Sequence, residues 1–233
     1  MTRVVLTREK DRNDSLRAYL PLGVEVIEVP ATRTEFRDPG AFEEALRELT
    51  LGAPAPWLVV TSARGARYAQ LAQEILGAHG RVASVGMATT RELRSLGVAV
   101  AISGDADAAA LASYLDGTVV TIGALETRGE LEARLNERGV AVHQVACYET
   151  RACELSTIQQ RTLGDADVVF VGAPSAWRVI RAFVNDRALL VVPGATTAHD
   201  VGTQYEVMVG WDDTLPTRLR AWVSTRERAF GEG

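Results

Sequence analysis

The side chains of this 233-residue chain that could grip or turn over a ligand are mostly hydroxyls, and they follow short apolar runs. Thr61-Ser62-Ala63-Arg64 comes after Trp57–Val60, and Gly86-Met87-Ala88-Thr89-Thr90 after Arg81–Val85. Gly172-Ala173-Pro174-Ser175 comes after Val168–Val171, and Gly194-Ala195-Thr196-Thr197 is the counterpart of the Gly86 loop. Each reads as the end of a strand running into the start of a helix. Ligands of open parallel sheets bind beyond the carboxyl ends of the strands. Helix starts offer unpaired N–H groups carrying partial positive charge, so these loops suit carboxylate or phosphate oxygens. One such charge-assisted hydrogen bond contributes on the order of 1.5–3 kcal/mol. Ser and Thr are also ordinary helix caps, the competing reading at every one of these positions. Arg8, after the first strand, and Arg128, near a later helix start, could meet carboxylates; a solvated surface is the alternative for both.

Other chemistries lack their residues. No Gly-x-Gly-x-x-Gly follows a strand, no phosphate loop ends in Gly-Lys-Ser/Thr, and no Gly-x-Ser-x-Gly elbow is present. His79, His143 and His199 have no ligand spacing, so no metal is expected. Asp105-Ala-Asp107 reads as an acidic helix start rather than a cation site. Cys147 and Cys153 are expected as free thiols, with Cys147 a small buried side chain. Trp57, Trp177 and Trp222 read as packing residues. The formal net charge of −5 argues against broad binding to nucleic acid. The N-terminus runs directly into a strand pattern and no apolar run is long enough to span a bilayer, so a cytoplasmic protein without membrane attachment is expected.

Around these loops, β-branched runs alternate with helical patterns along the whole chain. Strands are expected at Arg3–Thr7, Val24–Val29, Trp57–Thr61, Arg81–Val85, Val98–Ile102, Thr118–Ile122, Val140–Val145, Asp167–Val171, Ala188–Val192 and Glu206–Val209. Many are apolar on both faces, as strands covered by helices on both sides must be. The expected class is α/β, with parallel sheets flanked by helices. The chain also repeats. Thr2–Arg33 matches Thr118–Glu149 at an offset of about 116 residues, and Leu58–Ala66 matches Val168–Ala176 at an offset of 110. An internal duplication into two similar domains follows. Pro30–Thr34 and Cys147–Arg151 carry no helix pattern and read as crossovers between them. With both extended, a two-stranded linker would tie the domains, and a domain boundary is a preferred place for a small-molecule site.

Val5-Leu-Thr-Arg8 at the start, Val60-Thr-Ser-Ala63, Ser84-Val-Gly-Met-Ala-Thr-Thr90, Val145-Ala-Cys-Tyr-Glu-Thr150 and Val192-Pro-Gly-Ala-Thr-Thr-Ala198 together resemble the uroporphyrinogen-III synthase family. The likeness runs in order over nearly the whole chain. It implies one discontinuous domain of residues 1–32 plus 151–233, an inserted domain of 33–149, and crossovers near 29–35 and 146–151. The implied reaction takes hydroxymethylbilane, a linear tetrapyrrole octacarboxylate. The terminal hydroxyl is lost, the last pyrrole inverts through a spiro intermediate, and the ring closes as the type III isomer. Without enzyme the same substrate closes to type I, so the protein's task is orientation and protection. The resemblance implies no cofactor, a monomer, and hydroxymethylbilane synthase as a transient partner. It places Tyr148 where a tyrosine assists loss of the hydroxyl; a phenol with reference pKa near ~10 can donate a proton at neutral pH. It also places Thr89 and Thr197 as substrate binders.

Two departures bear on the site. The second-copy strand usually ends in Thr-Ser, like Thr61-Ser62, whereas this chain has Val171-Gly172. Glu126 stands where an acidic substrate would welcome a base. A non-catalytic two-domain module binding an anionic small molecule is therefore the rival reading.

Overall fold

The computed structural model describes residues 1–50, 56–77, 80–104, 108–127 and 129–231. The elements run, in chain order, β1 (Arg3–Leu6), α1 (Asp14–Arg17), β2 (Glu25–Glu28), β3 (Thr32–Phe36), α2 (Pro39–Thr50), β4 (Trp57–Val60), α3 (Ala69–Leu76) and β5 (Arg81–Val85). Next come α4 (Met87–Ser95), β6 (Ile102–Gly104), α5 (Ala108–Ala112), β7 (Thr118–Ala124), α6 (Glu130–Glu137), β8 (Ala141–Ala152) and α7 (Thr157–Gly164). The chain finishes with β9 (Val168–Phe170), α8 (Pro174–Ile180), β10 (Leu189–Val192), α9 (Ala195–Val201), β11 (Glu206–Val209) and α10 (Leu215–Gly231). Two compact units result: Met1–Arg33 with Arg151–Gly233 (unit 1), and Thr34–Thr150 (unit 2).

Unit 1 holds a sheet of order β11-β10-β9-β1-β2 with parallel neighbours throughout. Its strands bury alternate residues on two faces. Val5, Val169 and Leu190 enter one core with Trp177 and Ile180 of α8. Val4, Leu6, Val168 and Phe170 enter the other with Leu215 and Leu219 of α10. Ser156 and Gln159 form a reciprocal capping box at the start of α7, which fixes where the chain turns back toward β9.

In unit 2 the sheet order is β3-β8-β7-β4-β5-β6, and β4 pairs in parallel with both β5 and β7. Leu58, Val60, Val120 and Ile122 pack on Phe42 and Leu46 of α2, four residues apart on one helical face. Trp57, Val59 and Val119 fill the opposite core with Leu131 and Leu135 of α6. Trp57 is the first residue of its strand, as expected, and its indole N–H donates to Asp116 at 2.9 Å.

The strand expected at Val98–Ile102 starts only at Ile102. Val98 belongs instead to the end of α4: Gly97 takes φ +77°, and the Val98 N–H returns to the Leu93 carbonyl at 3.0 Å. This helix-ending motif needs a left-handed residue and buries the apolar residue after it. Gly139 and Val140 repeat it on α6, with Val140 N–H donating to Leu135 at 3.0 Å, so β8 begins at Ala141. β8 then continues to Ala152, so the segment read as an extended crossover is the far half of one strand. The Asp105–Asp107 reading and His79 lie outside the described residues.

Candidate active site

Strand order reverses once in each sheet, between β4 and β7 in unit 2 and between β1 and β9 in unit 1. Helices leave such a pair toward opposite faces, so a crevice opens beyond the strand ends, and there ligands of doubly wound sheets bind.

At the unit 2 crevice, Thr61 donates both its N–H (3.0 Å) and its hydroxyl (3.2 Å) to the carbonyl of Ile122. This close approach requires Gly123, because a Cβ there would fall on the Thr61 hydroxyl. Ser62 caps the 3₁₀ turn Ala63–Tyr68 by accepting from the Gly65 N–H at 3.3 Å, and its Oγ lies 2.9 Å from the Tyr148 hydroxyl. Tyr148 reaches that position because β8 bulges: Gly123 pairs with Ala146, but Ala124 pairs with Tyr148, leaving Cys147 as the extra residue. A regular strand alternates faces, yet Val145, Cys147 and Tyr148 all enter one core. The Tyr148 ring packs on Phe36 at 6.0 Å between centroids, and the Arg64 guanidinium lies 5.9 Å from it.

Thr61, Ser62 and Tyr148 line one cavity of about 360 Å³, together with Glu126, Glu130 and Glu132. Glu130 and Glu132 belong to the first turn of α6, where acids favour the helix dipole, and Glu132 accepts from Thr121 at 3.3 Å. Burial pushes the Cys147 thiol up to about 12, so it is a packing residue and not a nucleophile.

The glycine loops place their threonines alike. Thr89 is the third residue of α4 and Thr197 the third of α9, each 4% exposed. Among the described residues neither hydroxyl has a protein partner. Gly86 enters α4 at φ +80°, which only glycine adopts readily. Behind Thr89 a chain of hydroxyls holds the loop to the sheet, Ser84 to Thr90 at 2.7 Å and Thr90 to Ser103 at 2.7 Å. Thr196 is exposed, and Ser175 is half-buried in the first turn of α8 behind Pro174.

At the unit 1 crevice, Thr7 donates its hydroxyl to the Phe170 carbonyl at 2.6 Å. Arg8 donates to Ser15 at 3.4 Å and stacks over Trp211, 5.6 Å from the ring centre.

Of the residues expected from the sequence, Thr61, Ser62 and Tyr148 share one cavity. Thr89 lies in the first turn of α4 in the same unit, and Arg8, Ser175, Thr196 and Thr197 lie beyond strand ends of unit 1. Arg128 is outside the described residues. Sequence reasoning passed over Thr7, Gly123, Trp211 and the Ser84–Thr90–Ser103 chain. Only Thr7 carried a signal, as a hydroxyl directly before Arg8 at a strand end. It also passed over Asn13, 1% exposed, whose amide finds no partner among the described residues.

The family model described as "Uroporphyrinogen-III synthase HemD" matches residues 14–204. A uroporphyrinogen III synthase variant from Thermus thermophilus superposes with a TM-score of 0.64 at 19% identity, covering 100% of both chains. The uroporphyrinogen-III synthetase of Helicobacter pylori gives a TM-score of 0.63 at 16% identity, covering 96% of this chain and 100% of its own. At these identities the two structures establish a shared fold. Comparison with curated protein sequences finds no match. The family model spans most of the chain, from α1 to the approach to β11, and on that ground the chain belongs to the uroporphyrinogen-III synthase family.

Proposed function

We propose that Tyr148, Ser62 and Thr61 form the reacting end of the site and that Thr89, Thr196, Thr197, Arg8, Arg128 and Ser175 bind the substrate's carboxylates. The family's reaction is that of a lyase of tetrapyrrole biosynthesis, converting hydroxymethylbilane to uroporphyrinogen III and water. The observation supporting these roles is the Tyr148–Ser62 hydroxyl pair, 2.9 Å apart, opening on a cavity at a topological switch point.

The chemistry follows from that pair. As the terminal C–O bond breaks, the Tyr148 phenol gives its proton to the departing hydroxide, which leaves as water. Ser62 Oγ, already fixed by Gly65, donates back to the phenolate that forms. The pyrrole that carried the hydroxymethyl group is left cationic. Glu126, Glu130 and Glu132 repel substrate carboxylates, but they favour a developing positive charge in the same cavity. The substituted α-carbon of the last pyrrole attacks this cation to give the spiro intermediate. Its bond to the old methylene bridge then breaks, and the released bridge cation is captured by the same pyrrole's free α-carbon. That carbon loses its proton as aromaticity returns, replacing the one lent by the phenol. No step needs a metal or an organic cofactor.

We read the protein as a cytoplasmic monomer that meets hydroxymethylbilane synthase transiently. Its net charge of −5 supports a small-molecule role over one with nucleic acid. Among the described residues no helix is long and apolar enough to cross a membrane. The rival binding module gives no reason for a phenol held against a hydroxyl inside a cavity.

The rate of substrate loss tests the reading. Added protein is expected to consume hydroxymethylbilane faster than spontaneous closure, in proportion to its concentration and after treatment with a chelator. A rate unchanged by folded protein would return the reading to a binding module.

A further inference from the structure

The two switch points carry one hydroxyl on opposite strands. In unit 2 it is Thr61, on the β4 side, that donates to the β7 carbonyl of Ile122 at 3.2 Å. In unit 1 it is Thr7, on the β1 side, that donates to the β9 carbonyl of Phe170 at 2.6 Å. The parallel registers, Val60 with Ile122 and Leu6 with Phe170, make these positions equivalent with the partners exchanged. Val171 therefore does not leave a gap, because Thr7 supplies the strand-end hydroxyl that Thr61 supplies in unit 2.

One residue further, the units diverge in chemistry. Unit 2 has Ser62, paired with Tyr148. Unit 1 has Gly172, and the stem of Arg8 runs over it: a Cβ there would lie 3.2 Å from Arg8 Cγ and 3.6 Å from Trp211 Cη2. Trp211 is held on Phe170, 6.2 Å between centroids, and its carbonyl accepts from the Tyr19 hydroxyl at 3.4 Å. Its indole N–H is buried and has no acceptor among the described residues. A guanidinium stacked on an aromatic face is pre-oriented, so it loses little freedom on binding a carboxylate in bidentate fashion.

We infer that Gly172 and Trp211 are specificity-determining positioning residues, which seat Arg8 at the unit 1 switch point to bind a carboxylate of the tetrapyrrole. Its assignment to this substrate rests on the proposed function; the seat itself takes any polycarboxylate of similar reach. Unit 1 then supplies a guanidinium at its switch point where unit 2 supplies a pair of hydroxyls. The exchange of Ser62 for Gly172 is what lets one duplicated frame provide both.

Gly172→Ser tests this, because it copies unit 2's residue into unit 1. If the glycine were only a lost hydroxyl, serine would tighten binding. On the present inference it pushes the Arg8 stem aside, raising KM about tenfold, the scale of one charge-assisted hydrogen bond, with kcat little changed. The atom that must yield is in a flexible side chain, so thermal melting is expected to stay near wild type; Gly172→Ala carries the same clash in a smaller form. Trp211→Leu is expected to weaken binding in the same direction. Calorimetric titration with uroporphyrin III, a stable octacarboxylate, reads binding apart from catalysis. The Gly172 variants are expected to bind it about tenfold more weakly, with a flatter dependence on salt. Equal or tighter binding and unchanged KM in both variants would overturn the seat while leaving the catalytic reading intact. Wild-type protein that binds uroporphyrin yet makes no type III product would overturn the catalytic reading and leave the seat.

Discussion

Tyr148→Phe is expected to slow enzymatic consumption of hydroxymethylbilane by roughly 10²–10⁴-fold, the usual contribution of a positioned general acid. The substitution removes one oxygen and little else. The ring keeps its contact with Phe36, and Ser62 keeps the Gly65 N–H that fixes it. Loss of one neutral hydrogen bond costs on the order of 0.5–1.5 kcal/mol, so the variant is expected to fold and melt close to wild type. The slow residual reaction is expected to give more type I porphyrin, since substrate left uncommitted closes spontaneously. Stopped assays of substrate loss with separation of the porphyrin isomers check both expectations. Turnover at the wild-type rate would remove Tyr148 from the acid role.

The second large effect is on stability. Phe42 is fully buried on α2, and its ring lies 4.7 Å from that of Tyr68. Tyr68 in turn donates to the Arg37 carbonyl and stacks on Phe36, which touches Tyr148. Phe42→Ala is expected to cost unit 2 about 3–5 kcal/mol through lost burial and the cavity left behind. Hydrogen exchange locates the loss. Protection is expected to fall in β4, β5 and β7 while β9 and β10, in the other unit, keep theirs. An equal loss in both sheets would contradict two separately stabilised cores. Because the aromatic chain ends at Tyr148, activity is expected to fall before the unit unfolds.

The fold was legible because its strands are apolar on both faces and its glycines punctuate them. Runs such as Leu189–Val192 and Trp57–Val60 can only be strands in a covered sheet. The duplication then showed which loops were equivalent. What periodicity could not show was where a helix-ending motif stops and a strand begins. Val98 and Val140 are apolar because they cover a helix end, and only the backbone reveals it.

The candidate site was legible to the same extent, since residues just past strand ends are visible once the strands are placed. The placement of Tyr148 was not. A one-residue bulge at Cys147 decides which face it occupies, and nothing in Val145-Ala-Cys-Tyr announces a bulge. The Val171-Gly172 departure was legible only as a loss, because its compensation lies on the neighbouring strand, in Thr7 and Arg8, more than 160 residues away.

If this chain directs ring closure, the isomer of its product reports it. Hydroxymethylbilane generated in situ with a deaminase, closed in the presence of this protein and then oxidised, is expected to yield predominantly type III porphyrin without added metal or cofactor. Type I porphyrin alone, from protein shown to be folded, would contradict it.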